Sequence, residues 1–158
     1  NYISDPLKGA TNVISSLLGS APVGTRLYKF DFQLGNLVSY DRGQNGWSDP
    51  NVTLSPGEGA IVENTGTEGF DLPFMGAVGN PSQPLGIRTA ARNFVGLPVP
   101  AAGRLSEVLS MTWAAGDVIQ RYDNANAAFQ TFTYGANGWD VEPFVSPGEA
   151  IFVSLVGR

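Results

Sequence analysis

The chain has 158 residues, 42% of them hydrophobic and 15% charged, with a formal net charge of −5. It contains no cysteine and no histidine, which excludes disulfides, thiolate nucleophiles, Ser-His-Asp triads and Cys/His zinc sites. The nine Lys and Arg residues form no run, and no apolar stretch approaches the ~20 residues that span a bilayer. The composition therefore argues against nucleic acid partners and membrane insertion.

The two ends of the chain are copies of one repeat. The sequence NYISDPL at residues 1–7 returns as NFVGLPV at residues 93–99, an offset of 93 − 1 = 92. This duplication predicts two similar modules, residues 1–64 and residues 93–158, which a connecting segment at residues 65–92 joins into one compact domain.

The offset of 92 continues beyond the opening motif. It relates Leu17 to Leu109 without a gap, and after one later deletion the SPGE motif at residues 55–58 matches the SPGE motif at residues 146–149. An unbroken offset predicts that equivalent residues occupy equivalent places in the two modules.

Each repeat is predicted to contain the same elements in the same order. These are a short strand ended by proline, a short helix, two longer strands, an Asn-Gly hairpin, a Pro-Gly turn and a closing strand. In the first repeat the strands are predicted at residues 1–5, 25–32, 36–41 and 59–63. In the second repeat they are predicted at residues 93–97, 117–123, 128–134 and 150–156.

The connecting segment is too apolar for a free linker. Residues 70–78 are predicted to form a strand pair broken at Pro73, and residues 80–84 are predicted to form a turn. The segment is therefore predicted to bind the two repeats together.

Turn residues recur at the same places in both repeats. Asn-Gly is a strong hairpin signal because both residues accept positive φ, and each Asn-Gly is followed by tryptophan. The repeated structural positions are Asn45, Gly46, Trp47, Pro56 and Gly57 in the first copy and Asn137, Gly138, Trp139, Pro147 and Gly148 in the second. Together these signals predict an all-β fold with one short helix per repeat, built as a sandwich or a pair of half-open barrels.

The order of these motifs resembles a widespread module of secreted bacterial proteins, common in Verrucomicrobia- and Planctomycetes-type organisms. The matching motifs are NYISDPL at 1–7, GTRLYKFD at 24–31, GW at 46–47, PGEGAIV at 56–62 and FMGAV at 74–78, with second copies at 93–99, 116–123, 138–139 and 147–153. The resemblance implies an extracellular or cell-surface location, and it implies no particular activity.

Aromatic residues are the first candidates for a binding site. Trp47 and Trp139 are either sugar-stacking platforms or parts of the two cores, and duplication favours the core because each copy must build one. Trp113 is not duplicated, which makes it the better ligand candidate, together with Tyr40 and Tyr134.

Glu58 and Glu149 recur at one position after Pro-Gly and are the candidate acid/base pair of a glycan-active enzyme. A symmetric repeat tends to give both carboxylates the same pKa, whereas catalysis needs the two to differ. We therefore expect a non-catalytic protein with no catalytic residue and no cofactor.

Two oxygen-rich loops leave open a weak surface calcium site, because Ca²⁺ takes six to eight oxygen ligands. They are DNAN at residues 123–126 and the set Asp41, Asn45, Asp49 and Asn51. Side-chain bonds to the backbone in ordinary turns account for both loops more simply.

The last strand is nearly all apolar at Ile151, Val153 and Leu155. Such a strand either is central and buried or lies at an edge and pairs with another copy of the chain. The expected function is therefore a secreted structural or surface protein that self-associates through its terminal strands into a filament or matrix. The alternative is a carbohydrate-binding or adhesion module, and the third hypothesis is the glycan-active enzyme.

Overall fold

A computed structural model of the chain describes residues 1–9, 11–79, 85–88 and 91–157. Strands dominate these residues, and α-helix is confined to two segments of four residues each. The predicted all-β class is confirmed. The turn predicted at residues 80–84 lies outside the described residues.

The first repeat forms a five-stranded antiparallel sheet and one short helix. The sheet order is β1-β6-β3-β4-β5. The elements are β1 (Tyr2–Ser4), β2 (Leu7–Lys8), α1 (Ile14–Leu17), β3 (Thr25–Asp31), β4 (Asn36–Gly43), β5 (Gly46–Trp47) and β6 (Gly59–Asn64).

The connecting segment contributes one short strand, and the second repeat forms another five-stranded sheet. The elements are β7 (Ala77–Val78), β8 (Arg92–Gly96), β9 (Gly103–Arg104), α2 (Leu105–Val108), β10 (Val118–Asp123), β11 (Ala128–Gly135), β12 (Gly138–Trp139), β13 (Phe144–Val145) and β14 (Ala150–Ser154). The sheet order is β8-β14-β10-β11-β12, which is the order of the first sheet when strands are matched by their place in the repeat.

Each sheet packs one face against its own helix and loops. The first core contains Ile14, Leu18, Leu27, Leu54 and Val62, among others. The second core contains Leu105, Leu109, Ile119, Val145 and Val153, among others. Side chains at alternate strand positions enter these cores, which is why a period of two marks the strands in the sequence.

The two helices do not follow the offset of 92 that the sequence predicts. Ile14 begins α1 and Leu105 begins α2, an offset of 105 − 14 = 91. The backbone N–H of Leu18 bonds the Ile14 carbonyl and that of Leu109 bonds the Leu105 carbonyl, so Leu109 matches Leu18 and not Leu17. The first residue of each helix is buried in its core, and this packing decides which residues of the two helices correspond. The loops beside the helices differ in length by one residue and thereby restore the offset of 92.

The Asn-Gly hairpins also differ from the prediction. Gly46 has φ +113° and Gly138 has φ +108°, but neither Asn45 nor Asn137 has positive φ. Gly43 pairs with Gly46 across a two-residue loop, so the asparagine lies inside the loop and the glycine begins the return strand. Only the glycine therefore needs the left-handed region.

The connecting segment packs on both repeats, but its predicted strand pair is wrong. Within residues 70–78 only β7 is a strand, and it pairs with β2 of the first repeat. Phe70, Leu72 and Phe74 pack against the first core. Leu85 and Ile87 pack against the second.

The apolar C-terminal strand is central, and it is not a free edge. β14 pairs with β10 on one side and with β8 on the other. Ile151, Val153 and Leu155 are buried in the second core. The prediction that these three residues contact a partner through a terminal edge is therefore wrong. Both edges of β14, which contains Ile151 and Val153, are already occupied, and Leu155 just after it is buried.

The two repeats meet through a reciprocal backbone contact. Ile3 in β1 pairs with Glu149, and its counterpart Val95 in β8 pairs with Glu58. The N–H of Ser4 donates to the Gly148 carbonyl at 2.8 Å. In the same way, the N–H of Gly96 donates to the Gly57 carbonyl at 3.0 Å. The opening strand of each repeat is thus bound to the Pro-Gly turn of the other.

Ser4 and Gly96 occupy equivalent places in the repeats and lie against each other at this junction. A Cβ added at Gly96 would overlap the side chain of Ser4. Ser4 is fully buried, and its hydroxyl donates to the Glu149 carbonyl at 3.1 Å. The junction therefore has room for one side chain at these two positions.

We predict that Gly96→Ser destabilises the fold by about 1–3 kcal/mol, the usual cost of overpacking. Adding Ser4→Gly should restore most of this loss, because the double variant again places one side chain at the junction. Gly69→Ala is the control, since a Cβ at Gly69 meets nothing within 4 Å. Urea unfolding of the wild type and these three variants measures the effect, and a double variant no more stable than Gly96→Ser would contradict the shared space.

The loop between β10 and β11 contains a residue in the left-handed region. Ala127 has φ +50°, and its counterpart Gly35, between β3 and β4, has φ +68°. An L-residue in this region costs about 1–2 kcal/mol, whereas glycine adopts it freely. The first repeat thus carries the residue that fits this turn.

Ala127→Gly should stabilise the chain by about 0.5–1 kcal/mol, because relieved strain exceeds the greater chain entropy of glycine. The reverse change, Gly35→Ala, should destabilise it by about 1 kcal/mol, and no atom lies close enough to Gly35 to add a clash. Thermal unfolding of both variants tests the pair. Two shifts of the same sign would show that backbone strain does not govern these loops.

Candidate functional site

The two recurring glutamates hold their own turns in the same way. Oε1 of Glu58 lies 2.9 Å from the Lys29 ammonium, and Oε2 accepts the Ser55 N–H at 3.0 Å. In the second repeat Oε1 of Glu149 lies 3.1 Å from Nε of Arg121, and Oε2 accepts the Ser146 N–H at 3.1 Å. Each carboxylate therefore fastens a Pro-Gly turn to the middle of its sheet.

This matched environment bears on the acid/base hypothesis. An acid/base pair works when the surroundings hold one carboxyl protonated and the other ionised. Here both glutamates face a cation and a backbone N–H of the same kind. The geometry supports a structural role for both side chains.

The recurring tryptophans lie at the cores. Trp47 is buried in the first core, with 6% of its surface exposed. Trp139 is half-buried and packs against the second core. Each tryptophan is the last residue of its two-residue strand, β5 or β12, directly after the duplicated hairpin. These places support the interpretation that each repeat uses a tryptophan to complete its core.

Two of the predicted ligand residues, Trp113 and Tyr134, form a cluster with Trp139. The ring centroids of Trp113 and Trp139 are 5.0 Å apart, and those of Tyr134 and Trp139 are 5.2 Å apart, both edge to face. Counted from the Gly24/Gly116 pair, the counterpart of Trp113 is residue 113 − 92 = 21, a buried alanine. The aromatic cluster therefore belongs to the second repeat alone.

The polar atoms of this cluster are poorly placed for a ligand. The indole N–H groups of Trp113 and Trp139 are buried and have no hydrogen-bond partner among the described residues. A sugar would need exposed ring faces and accessible donors. Tyr40 lies in the other repeat and packs against the first core, so the structure does not bring it to this cluster.

Asp123 shows why the oxygen-rich loops are turns. Its carboxylate accepts the N–H groups of Ala125 and Asn126 and the side-chain amides of Asn126 and Gln130 at 2.7–3.3 Å. The Asn126 side chain first, and then the N–H groups of Asn126 and Ala125, lower the pKa of Asp123. In the other loop Asp41 pairs with Arg26 at 2.5 Å, and Asp49 accepts the Asn51 N–H at 3.1 Å. Within the described ranges no three acidic side chains gather as a metal site.

A groove of about 610 Å³ lies where the two repeats and the connecting segment meet. Phe32, Pro56, Phe94 and Leu85 supply much of its apolar wall, and the paired Glu58 lies beside them. Sequence reasoning missed this groove because its walls come from three separate parts of the chain. Clefts between modules are common ligand sites. Two charged side chains line this one, Lys8 and Glu58, and Glu58 is already paired with Lys29.

Strands β4 and β11 each have a backbone edge that is mostly uncovered. These open edges are the second feature that the sequence did not reveal. Strand β5 covers only the end of β4, where Arg42 pairs with Trp47, and β12 covers only the end of β11, where Tyr134 pairs with Trp139. Residues 36–40 and residues 128–132 have no strand on their outer side in the described part of the chain.

In an antiparallel strand the backbone N–H and C=O groups of successive residues point alternately toward one neighbouring strand and toward the other. This alternation shows which residues of β11 direct these groups away from β10, toward the open edge. Tyr134 exchanges hydrogen bonds with residues 116 and 117, on the inner side. Thr133 faces outward, where its N–H donates to the Asp140 carboxylate at 3.0 Å and its carbonyl accepts the Asp140 N–H at 3.1 Å. In an antiparallel strand the next outward residues are therefore Thr131 and Phe129.

The first repeat repeats this pattern in β4. The Asp41 N–H donates to the Ser48 hydroxyl at 3.1 Å on the outer side. The next outward residues are Ser39 and Leu37, the counterparts of Thr131 and Phe129. Leu37 is 43% exposed and Phe129 is 42% exposed. Each open edge thus combines free backbone groups with one exposed apolar side chain.

Comparison with protein-family models, with curated proteins and with solved structures found no match. The resemblance to the secreted bacterial module therefore stays a prediction. Among the described residues, no helix has the length and apolar character needed to cross a membrane.

We predict that Glu58→Gln and Glu149→Gln each destabilise the chain by about 1–2 kcal/mol, because each removes a charge-assisted bond from a partly exposed turn. Glu68→Gln is the matched control, since Glu68 lies in an exposed loop and has no ion pair with any residue that the structure describes. Urea unfolding at neutral pH measures the three variants. If neither variant loses more unfolding free energy than the control, these carboxylates do not hold the turns.

Proposed function

We propose that this protein is a non-catalytic structural protein that self-associates at the cell surface or in extracellular matrix. The observation that carries the proposal is the open, uncharged outer edge of each five-stranded sheet. Residues 36–40 read NLVSY and residues 128–132 read AFQTF, without a charge or a proline in either stretch.

The composition of these edges supports association. Natural proteins block edge strands with lysine, proline, bulges or very short strands, because free N–H and C=O groups recruit other strands. The covering strands β5 and β12 are two residues long and leave most of each edge open. Five-residue stretches with high β propensity and no charge favour pairing with another chain.

The matched glutamates support the non-catalytic part of the proposal. Both serve as anchors for turns that also form the junction between the repeats. The secreted location rests on the resemblance to the bacterial module, and the low charge content agrees with a protein that builds insoluble or densely packed material.

A carbohydrate-binding module is the second candidate. The observation that favours it is the Trp113–Trp139–Tyr134 cluster, because only the second repeat has it. Aromatic faces stack on sugar rings, and a cluster absent from one copy is not required by the shared fold.

We expect the purified chain to form particles far larger than a 16.7 kDa monomer as its concentration rises. Light scattering measures the mass, and negative-stain electron microscopy shows whether the particles are ordered. A monomer at millimolar concentration would overturn the proposal. Saturable binding of that monomer to a glycan array, lost in Trp113→Ala, would establish the second candidate instead.

A further inference from the structure

We propose that copies of this chain join through the open edges of β4 and β11, so that each copy has two contact sites and the assembly grows as a linear filament. This inference rests on the proposed function and names its partner, a second copy of the same chain. The terminal strands take no part, because β14 is central and β1 is bound to β6 and to the turn of the other repeat.

The two edges lie at the far ends of the strand order. In the first sheet β1 is the end that meets the other repeat, and β4 and β5 form the opposite end. In the second sheet β8 pairs with the first repeat, and β11 and β12 form the opposite end of the strand order. The first repeat also reaches β11 across the face of this sheet, where the Tyr2 ring lies 5.4 Å from the Phe129 ring, but that contact leaves the backbone edge of β11 open. A protein molecule with two open edges can bind two neighbouring copies, so the assembly continues to grow and does not stop at a dimer.

The edges also fit one another in register. Outward backbone groups belong to Leu37 and Ser39 on one edge and to Phe129 and Thr131 on the other. Any antiparallel pairing that satisfies these groups matches odd-numbered residues with odd-numbered residues. Side chains of such residues lie on one face of the joined sheets, so Leu37 or Phe129 of one copy lies beside an outward residue of the next. The exposed apolar side chains are thereby covered by the same contact that satisfies the backbone.

Electrostatics do not oppose the contact. Neither open stretch contains a charged residue, and the nearest charges are already engaged. Asp41 pairs with Arg26, and Asp123 accepts hydrogen bonds from its own loop. Another copy is the occupant that these features favour, because it presents the same uncharged edge with the same spacing of free groups.

Proline substitution tests the edges without disturbing the fold. Ser39→Pro and Thr131→Pro each remove one outward N–H, a place where edge strands tolerate proline. Thr131→Lys and Leu37→Lys test the same two edges by adding a charge. Phe129 is left unchanged, because its ring packs on Tyr2, Tyr122 and Phe152. Met75→Lys is the control, because Met75 is 80% exposed and lies in the connecting segment, outside both edge strands. Thermal unfolding of each variant verifies that it folds.

We expect the wild type and Met75→Lys to form filaments and the Ser39→Pro/Thr131→Pro double variant to have the mass of one chain. If like edges pair, each single variant alone stops at dimers. If β4 of one copy pairs with β11 of the next, each single variant alone is a monomer. Mixing the two single variants then gives heterodimers that contain one copy of each. Either result supports the proposal and identifies the contact.

Assembly of the folded double variants, with proline or with lysine, to the wild-type extent would overturn the edge contact and leave self-association standing. A wild-type monomer would instead overturn the proposed function itself. The two failures are therefore distinguishable in one series of mass measurements.

Discussion

The backbone of the junction between the repeats is organised by a reciprocal contact, in which the opening strand of each repeat bonds the Pro-Gly turn of the other. Beside it the Tyr2 ring packs on aromatic rings of the second repeat. The backbone bonds from Ser4 to Gly148 and from Gly96 to Gly57 set the distance between the two sheets. The turns can serve in this way because Glu58 and Glu149 fasten them to cations in the middle strands. Backbone bonds, ion pairs and both sheets thus depend on a few residues near positions 4 and 96.

This arrangement also decides which edges remain open. Because β1 and β8 are used at the junction, each sheet has only its opposite end left to face solvent. Strands β5 and β12 are too short to cover those ends, since the tight hairpins before them return the chain for two residues only. The proposed filament therefore follows from where the repeats join, and the composition of β4 and β11 leaves the contact unblocked.

Much of the fold could be predicted from the sequence, because duplication showed every signal twice. The strands from Thr25 and from Asn36 were predicted within about two residues, as were their counterparts in the second repeat. The helices broke the constant offset because burial of Ile14 and Leu105 outweighed sequence spacing. The position of β14 within its sheet could not be predicted, since an apolar strand has the same sequence pattern at the centre of a sheet and at its edge until its neighbours are known. The open edges and the groove were likewise hidden, because both depend on which elements fail to meet.

Ser4 and Gly96 have a consequence for the history of the chain. If the repeat once existed as a separate polypeptide that paired with itself, both positions carried the same residue. Two serines would overlap there, and two glycines would leave an unfilled hole beside the paired backbones. A serine and a glycine can face each other only when the two halves have different sequences, as they do in this chain. A homodimer of either half would place identical residues at these two positions and could not reproduce the packing of Ser4 against Gly96. The two halves are therefore no longer interchangeable.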